Sequence, residues 1–547
     1  KYYKGLGTSN AIEAREYFSQ LKMNNYITTD LTDESMELAF RKTKTNDRKE
    51  WLYKYDEENI LCPDTSDIHI EEFIHKELIH FSNSDTLRSI GSVYDGLKPS
   101  QRKILYSCFK RKLYSEIRVA QLSGYVSENA AYHHGEMSLQ GAIIGMAQNF
   151  VGSNNIHLLE PNGQFGTRIM GGNDAASSRY IHTELHKITD VLFPSSDFPL
   201  LSYNEDDGIL VEPKYYVPII PMVLVNGLLG IGTGFSSTIP QYNPEDIVDN
   251  IKRKLNSQPY TDMKPWYRNF KGTIMKQDDK SYISKGIYKI IDNTTLKITE
   301  LPIGVWTDTY KTFLESLVIS KKDVTKNKKE CIIDFKNNCD DKTIDFTITV
   351  PPNFISSKQW SEDSIDSIEK EFKLSSTKGL SLNNMHLYNH QGKIVKYNYI
   401  HEILDDFHNI RYELYQKRKA HQLKQLRRSL LIIESKIRFI TEIINDILVI
   451  NKKNKLTICQ ELYSRGYLLM NKDKLIEHGS DDYTEENINF EYLLKLPIYS
   501  LTSDELDKLT TEYTKLKTDY SELDNQSISD IWIQELDLFL KMYKKMK

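Results

Sequence analysis

The chain has 547 residues, with 71 Lys plus Arg against 76 Asp plus Glu and a net charge of -5, a length that calls for two to four domains rather than one core. No run approaches the ~18 uninterrupted apolar residues of a membrane span and the N-terminus shows no basic-then-apolar leader, so a soluble, intracellular protein is expected. Five scattered cysteines (Cys62, Cys108, Cys331, Cys339, Cys459) form no CxxC pair, which excludes a disulfide framework and a zinc module.

Residues 2–9 read YYKGLGTS, a Gly-punctuated turn leading into helix. So abrupt an opening is expected of a piece of a longer protein. Residues 28–66 are polar with little periodicity and are expected to connect to a compact domain. From Ile68 to about Pro199, helical patterns mix with Gly-containing loops. From Leu200 to about Lys396, short β-branched runs alternate with turns: YYVPIIPMVLVNG, FKGTI, TTLKITELP and DFTITVPP. They predict an α+β region with a substantial sheet. After Tyr397 the pattern turns helical. Leu423, Leu426, Leu430, Ile433, Ile437, Ile440, Ile444 and Ile447 alternate spacings of 3 and 4, as do Leu506, Leu509, Tyr513, Leu516, Tyr520 and Leu523. Each set is a coiled-coil seam. Together they predict an antiparallel helix pair with a small domain, about residues 452–500, at its tip.

Four segments carry candidate chemistry. In YDGLKPSQRKIL (residues 94–105), Pro99 can open a helix with Lys98, Gln101, Arg102 and Lys103 along one side and Ile104, Leu105, Cys108 and Phe109 as its apolar face. Residues 98–118 hold seven basic side chains and one acidic. Either a phosphate-contacting reader helix or a solvated basic face fits. In AYHHGEMSL (residues 131–139), His133 and His134 could serve as metal ligands, acid/base groups or phosphate donors. Adjacent positions cannot both face one metal on a helix, so phosphate or backbone hydrogen bonding ranks above zinc, beside a plainly structural histidine.

In AASSRYIHT (residues 175–183), Arg179 directly precedes Tyr180, after the Gly-rich GQFGTRIMGGND. A phenol with a pKa of about 10 is a poor nucleophile at neutral pH unless a cation or base assists, and an arginine is a permanent cation that also holds phosphate. A partly buried tyrosine beside a surface arginine is the plainer alternative. PIIPMVLVNGLLGIGTGF (residues 218–235) lacks the GxxxxGK[ST] of a nucleotide loop. Its small residues suit a close backbone approach that pushes Ile231 outward, where it could wedge between base pairs; a core isoleucine is the other reading.

In this order, YDGLKPSQRKIL, AYHHGEMSL, AQNFVGSNN, GQFGTR, the Arg179-Tyr180 pair, IIPMVLVNG and GIGTGF resemble the breakage-reunion region of type IIA DNA topoisomerases, in the eukaryotic form that large DNA viruses also carry. The resemblance continues through ITELPIGVWTDTY, LLKLPIYSLT and ISDIW, nearly the whole chain. It implies that Tyr180 attacks a backbone phosphate and becomes linked to the DNA 5′ end, while Arg179, Arg88 and His134 hold that phosphate. Lys98, Gln101, Arg102, Lys103 and His133 would contact DNA, and Ile231 would intercalate. Phe235 stands where the family pattern usually has Trp.

The implied fold is α+β and multidomain: residues 1–30 as the end of a TOPRIM domain, 31–67 connecting, 68–199 a winged-helix DNA-gate domain, 200–396 an α/β tower, and 397–547 a long antiparallel coiled coil with a small helical C-gate domain. The implied partners are double-stranded DNA, as gate and transported segments, and a second copy of the chain, joined through the C-gate and winged-helix domains, with no membrane. Magnesium would sit in the part of TOPRIM before Lys1 and ATP on a domain outside the chain, so no residue here is assigned to metal. The nucleus is expected for a cellular enzyme and the host cytoplasm for a viral one. Two other functions stay open: a non-catalytic dimeric DNA-binding architectural protein, and a nucleotide-dependent enzyme built on GLLGIGTG.

Overall fold

The computed structural model describes residues 9–21, 23–62, 65–318, 331–358, 365–471, 474–476 and 490–546. They fall into two compact units, Lys1–Phe193 with Leu201–His408, and Pro194–Leu200 with Asn409–Lys547.

In the first unit, Pro99 occupies the first turn of the helix Pro99–Arg111, where its missing N–H costs nothing. Gln101 Oε1 accepts the Lys98 backbone N–H at 3.0 Å, and Lys112 ends the helix in the left-handed region at φ 52°. The helix buries Ile104, Leu105 and Cys108 and packs on Val119–Asn129 and Glu136–Ala147. Ile117–Arg118 pairs antiparallel with His182–Thr183, and Tyr203–Asp206 forms a hairpin with Ile209–Pro213.

Residues 28–66, expected as a connection, carry the helices Thr32–Phe40 and Thr45–Tyr53. Trp51 and Leu52 anchor them in a cluster with Ile74, Ile79, Ile90 and Phe235. The run YYVPIIPMVLVNG departs from its strand-like reading: Met222–Val225 is one buried helical turn. Pro218 and Pro221 remove the donors a ladder requires.

The other runs do form strands. A four-stranded antiparallel sheet has the order Ile287–Asp292, Thr295–Glu300, Phe346–Thr349, Asp334–Asn337. Along Thr295–Glu300 every second residue is buried, the period-2 signature of a sheet with one face on a core; that core holds Leu296, Ile298, Phe346, Ile348, Tyr310 and Leu314. A three-stranded sheet runs Ser375–Ser376, Ser281–Lys285, Thr273–Asp278.

The second unit holds most of the 45-residue helix Ile400–Ile444 and the helices Ser503–Asn525 and Ile528–Met546. All six seam positions of Ser503–Asn525 are half-buried. Lys419 Nζ donates to Asp524 O at 2.9 Å and Gln526 O at 2.7 Å, tying the middle of the long helix, just before its predicted seam, to the end of the later helix, as an antiparallel pair requires. The predicted seam overshoots: the helix stops at Ile444, and Ile447 is 56% exposed beyond it. Phe439, Leu448, Cys459, Leu462, Tyr467, Phe490 and Leu493 form a separate small core there. Part of the expected tip lies outside the described residues. Among the described residues no helix is long and apolar enough to cross a membrane.

Candidate active site

Tyr180 is 72% exposed, and its loop is fastened from both sides. Ala120 N donates to Ser178 O and Val119 N to Ile181 O, both at 3.1 Å. Ser178 Oγ donates to Gln140 Oε1 at 2.7 Å, and Gln140 Nε2 in turn donates to Glu136 Oε1 at 2.7 Å. Ile181, 1% exposed, roots the loop in the core. These contacts hold the backbone while leaving the phenol in solvent. The Arg179 guanidinium carbon lies 5.8 Å from the centre of the Tyr180 ring, close enough to share a bound anion.

The preceding glycines have a steric reason. Gly166 adopts φ +94° and Gly172 φ +88°, and a Cβ on Gly166 would meet the Gly172 backbone at 2.6 Å. Two chain segments therefore touch where no larger residue fits. Asp174 closes the loop by accepting from Thr167 N at 2.9 Å and from the Thr167 hydroxyl.

A second group of predicted residues converges in a cleft of about 340 Å³ lined by Asp85, Arg88, Lys103, His133, His134 and Asp206, among others. Arg88 projects from the last turn of the helix Ile79–Ser89. His133 Nε2 lies 3.2 Å from Asp206 Oδ2, and the His134 ring meets Tyr132 edge-on at 5.4 Å. Two cations and two imidazoles thus face one cavity together with the Asp85 and Asp206 carboxylates, and Arg88 is the cation there placed to take a phosphate. Arg179 and Tyr180 are not part of its lining.

The basic helix is thinner in free cations than its sequence suggests. Arg102 is 7% exposed; its Nε donates to Asp95 Oδ2 at 2.8 Å and its Nη2 to Asp95 Oδ1 at 3.1 Å and Leu97 O at 2.9 Å. Asp95 also accepts from Leu97 N and Tyr216 N, each at 2.9 Å. A phosphate would have to compete with Asp95 for this buried guanidinium. Lys103 Nζ donates to Ala130 O at 2.6 Å and Glu212 Oε2 at 2.8 Å. Lys98 Nζ donates to Leu229 O at 3.1 Å, and burial pushes its ammonium pKa down.

That Leu229 belongs to the hairpin Leu228–Ile231 with Ser236–Ile239. Ile231 is 78% and Leu229 66% exposed, on the same face of their strand. Of the GIGTG glycines, Gly230 lies in the first strand and Gly232 and Gly234 in the turn of this hairpin, not in a phosphate cradle before a helix.

Among the described residues one group could hold a metal ion: His157, Glu160 and His186. It fits poorly. Magnesium takes oxygen ligands, and here two of three donors are imidazoles. His186 Nδ1 accepts the Ile188 N–H at 3.1 Å, so the proton of the neutral ring resides on Nε2, the atom 3.5 Å from Glu160 Oε1. Arg268 also presses its charge on both imidazoles. His157 is buried with its Nδ1 left without a hydrogen-bond partner and its Nε2 3.9 Å from Glu160 Oε2, while Glu160 and His186 are half-buried.

Sequence reasoning missed Asp85, Asp95, Gln140 and Asp174. Only Asp85 left a signal, its position one helical turn before Arg88. The others meet their partners through the fold.

Residues 88–537 match the family model for the A subunit of DNA gyrase/topoisomerase IV, and residues 1–86 match the C-terminal associated domain of TOPRIM. DNA topoisomerase 2 of Plasmodium falciparum is 42% identical over 559 residues, covering 98% of this chain and 39% of that protein. DNA topoisomerase 2 of Saccharomyces cerevisiae is 43% identical over 100% of this chain and 40% of its own length. The chain thus spans about two fifths of the curated relatives it matches. The crystal structure of the Plasmodium falciparum topoisomerase II DNA-binding, cleavage and re-ligation domain superposes with a TM-score of 0.82 at 41% identity, covering 100% of this chain and 75% of that one. Sequence and fold agree over the whole length, and the chain belongs to the type II DNA topoisomerase family.

Proposed function

We propose that the chain is the breakage-reunion core of a type II DNA topoisomerase, in which Tyr180 cuts DNA. The Tyr180 oxygen attacks a backbone phosphorus and gives up its proton; the bond from phosphorus to the 3′ oxygen breaks, that oxygen leaves and takes a proton, and the 5′ phosphate stays on the tyrosine. One phosphodiester is exchanged for another, so the step reverses without an external energy source. The observation that carries the reading is a solvent-exposed tyrosine on a loop held rigid at Ser178 and Ile181, with Arg179 beside it. A binding protein has no need of that presentation.

In this reading Arg88 and His134 grip the scissile phosphate and His133, Lys98 and Gln101 line the DNA path. Arg102 acts by fixing its helix, and Ile231 enters the base stack. Residues 68–199 act as a winged-helix gate, 200–396 as the tower and 397–547 as coiled coil and lower gate. Residues 1–30 then belong to TOPRIM and 31–67 join it to the gate. Two copies pair, one tyrosine to each strand, and pass a second duplex through the break. Magnesium and ATP act through segments beyond the two fifths of the relatives that this chain spans, in an intracellular, nuclear enzyme.

The test is covalent capture. The full-length protein and its Tyr180→Phe variant are incubated with supercoiled DNA and magnesium, stopped with detergent and digested with protease. An adduct in the parent that disappears in the variant, with DNA binding retained, is the expected result. An adduct that survives in the variant removes Tyr180 from its role, and none in either protein favours an architectural DNA binder.

A further inference from the structure

We propose that Asp85 is a positioning residue that couples the hairpin bearing Ile231 to the phosphate-gripping Arg88, so that DNA bending and cleavage are one mechanical event. The inference rests on the cleavage reading above and adds a part to it.

Asp85 and Arg88 share the helix Ile79–Ser89, three residues apart, so their side chains lie on neighbouring parts of one face. Asp85 Oδ2 accepts both the backbone N–H and the hydroxyl of Thr233, each at 2.9 Å. Thr86 Oγ1 reaches back to Thr233 O at 2.9 Å while also lying 2.8 Å from Ser82 O. Thr233 sits in the turn two residues after Ile231. The turn is thereby latched to the helix through three polar contacts.

Steric fit reinforces the latch. A Cβ on Gly230 would meet Ser89 O at 2.2 Å, and one on Gly232 would meet Thr86 Cα at 2.9 Å. The hairpin backbone therefore lies directly on the last turn of the helix, which carries Arg88. Its far side is held by Lys98 Nζ on Leu229 O, and its base by Phe235, buried in the cluster with Ile79 and Ile90. Ile231 is free at its tip and fixed at its root.

A side chain wedged into a base step can bend DNA only if its support does not yield, because unstacking opposes the insertion. The Asp85 carboxylate supplies charge-assisted bonds to that support. The support of Ile231 is thus the same helix turn that carries Arg88, so a bend made at Ile231 brings the phosphate to Arg88.

The experiment compares full-length wild type, Asp85→Ala, Thr233→Val, Ile231→Ala and Arg88→Ala on a straight duplex and on one pre-bent by a small bulge at the gate site. End-to-end fluorescence transfer reads bending, and detergent-trapped adduct reads cleavage. On the straight duplex, Asp85→Ala is expected to lose bending and to lower the adduct at least about 10-fold, as loss of hydrogen bonds to a charged group implies. Thr233→Val, which keeps the backbone N–H, loses less. On the pre-bent duplex Asp85→Ala and Ile231→Ala recover, whereas Arg88→Ala does not. The Asp85→Ala, Ile231→Ala double variant is no worse than the poorer single, because both act through one element. Wild-type bending in Asp85→Ala, or a deficit that persists undiminished on pre-bent DNA, overturns the proposal. If Asp85→Ala does not fold, Thr233→Val carries the same comparison. Absence of adduct in wild type would sink the cleavage reading instead, and the bending arm would still decide whether the latch supports Ile231.

Discussion

The guanidinium of Arg102 sits in the core with the Asp95 carboxylate as its counter-ion, and removing either partner strands a charge away from water. Breaking such a pair costs about 3–5 kcal/mol. Arg102→Met is therefore expected to lower the unfolding free energy by that much, read as a fall in the urea midpoint, and to leave the salt dependence of DNA binding unchanged. A true phosphate contact would behave in the opposite way, lowering the slope of log affinity against log salt by about 1 with stability kept. Salt titrations of wild type and variant on one duplex distinguish the two, and a flattened slope with an unchanged midpoint would restore Arg102 to the DNA face. The residue shows how far sequence reaches. Helical spacing put Arg102 beside Lys98, and its basic character suggested a phosphate. Its inward turn depends on Asp95 in the preceding loop and on Tyr216 N, 121 positions from Asp95. No local pattern encodes that approach. The Gly-rich run before Tyr180 was readable for the contrary reason, since Gly166, Gly172, Thr167 and Asp174 meet within one short stretch of chain.

Elements were legible where periodicity is long and blurred where prolines or packing intervene. The half-buried positions of Ser503–Asn525 include every residue of the predicted seam, because a 3,4 alternation allows one stripe only. The run YYVPIIPMVLVNG misled because burial on all sides gives an apolar run without period, and length alone cannot separate strand from helical turn. The Gly-rich loop before Tyr180 belongs to this scale as well. Gly166→Ala places a Cβ 2.6 Å from the Gly172 backbone at a φ of +94°, a strain of about 1–3 kcal/mol before any clash. The expected outcome is a loop that no longer presents Tyr180. Covalent adduct should fall by about 10-fold or more, as a misplacement of the order of 1 Å suffices to do, while DNA affinity holds. Adduct assays beside a binding titration check it, and full adduct yield from a well-folded Gly166→Ala protein would show that the close approach is dispensable.

For the whole molecule, a net charge of -5 conceals a group of buried and half-buried titratable side chains that set its acid tolerance. Burial pushes the His157 imidazole down to about 3, with His186 and Arg268 adding to the effect. Burial likewise pushes His186 down, followed by Arg268 and Lys187. Unfolded, both rings take up protons as pH drops below about 6.5; folded, they resist. The unfolded state then binds more protons than the native one, so stability falls as pH falls from about 6.5. Glu160, whose carboxyl is pushed up by burial, works the other way above about pH 4.5, because its folded form takes the proton first. Two imidazoles against one carboxyl leave a net loss, approaching about 1.4 kcal/mol per pH unit for each proton in excess. Urea midpoints at pH 7, 6 and 5 are expected to decline in the wild type and to decline less steeply in His157→Asn, which cannot protonate. Because groups away from this pair titrate alike in both proteins, the difference in slope reports His157 together with its neighbour His186, whose ring centre lies 4.7 Å away. Parallel lines for the two proteins would mean that its ring takes up protons as readily folded as unfolded.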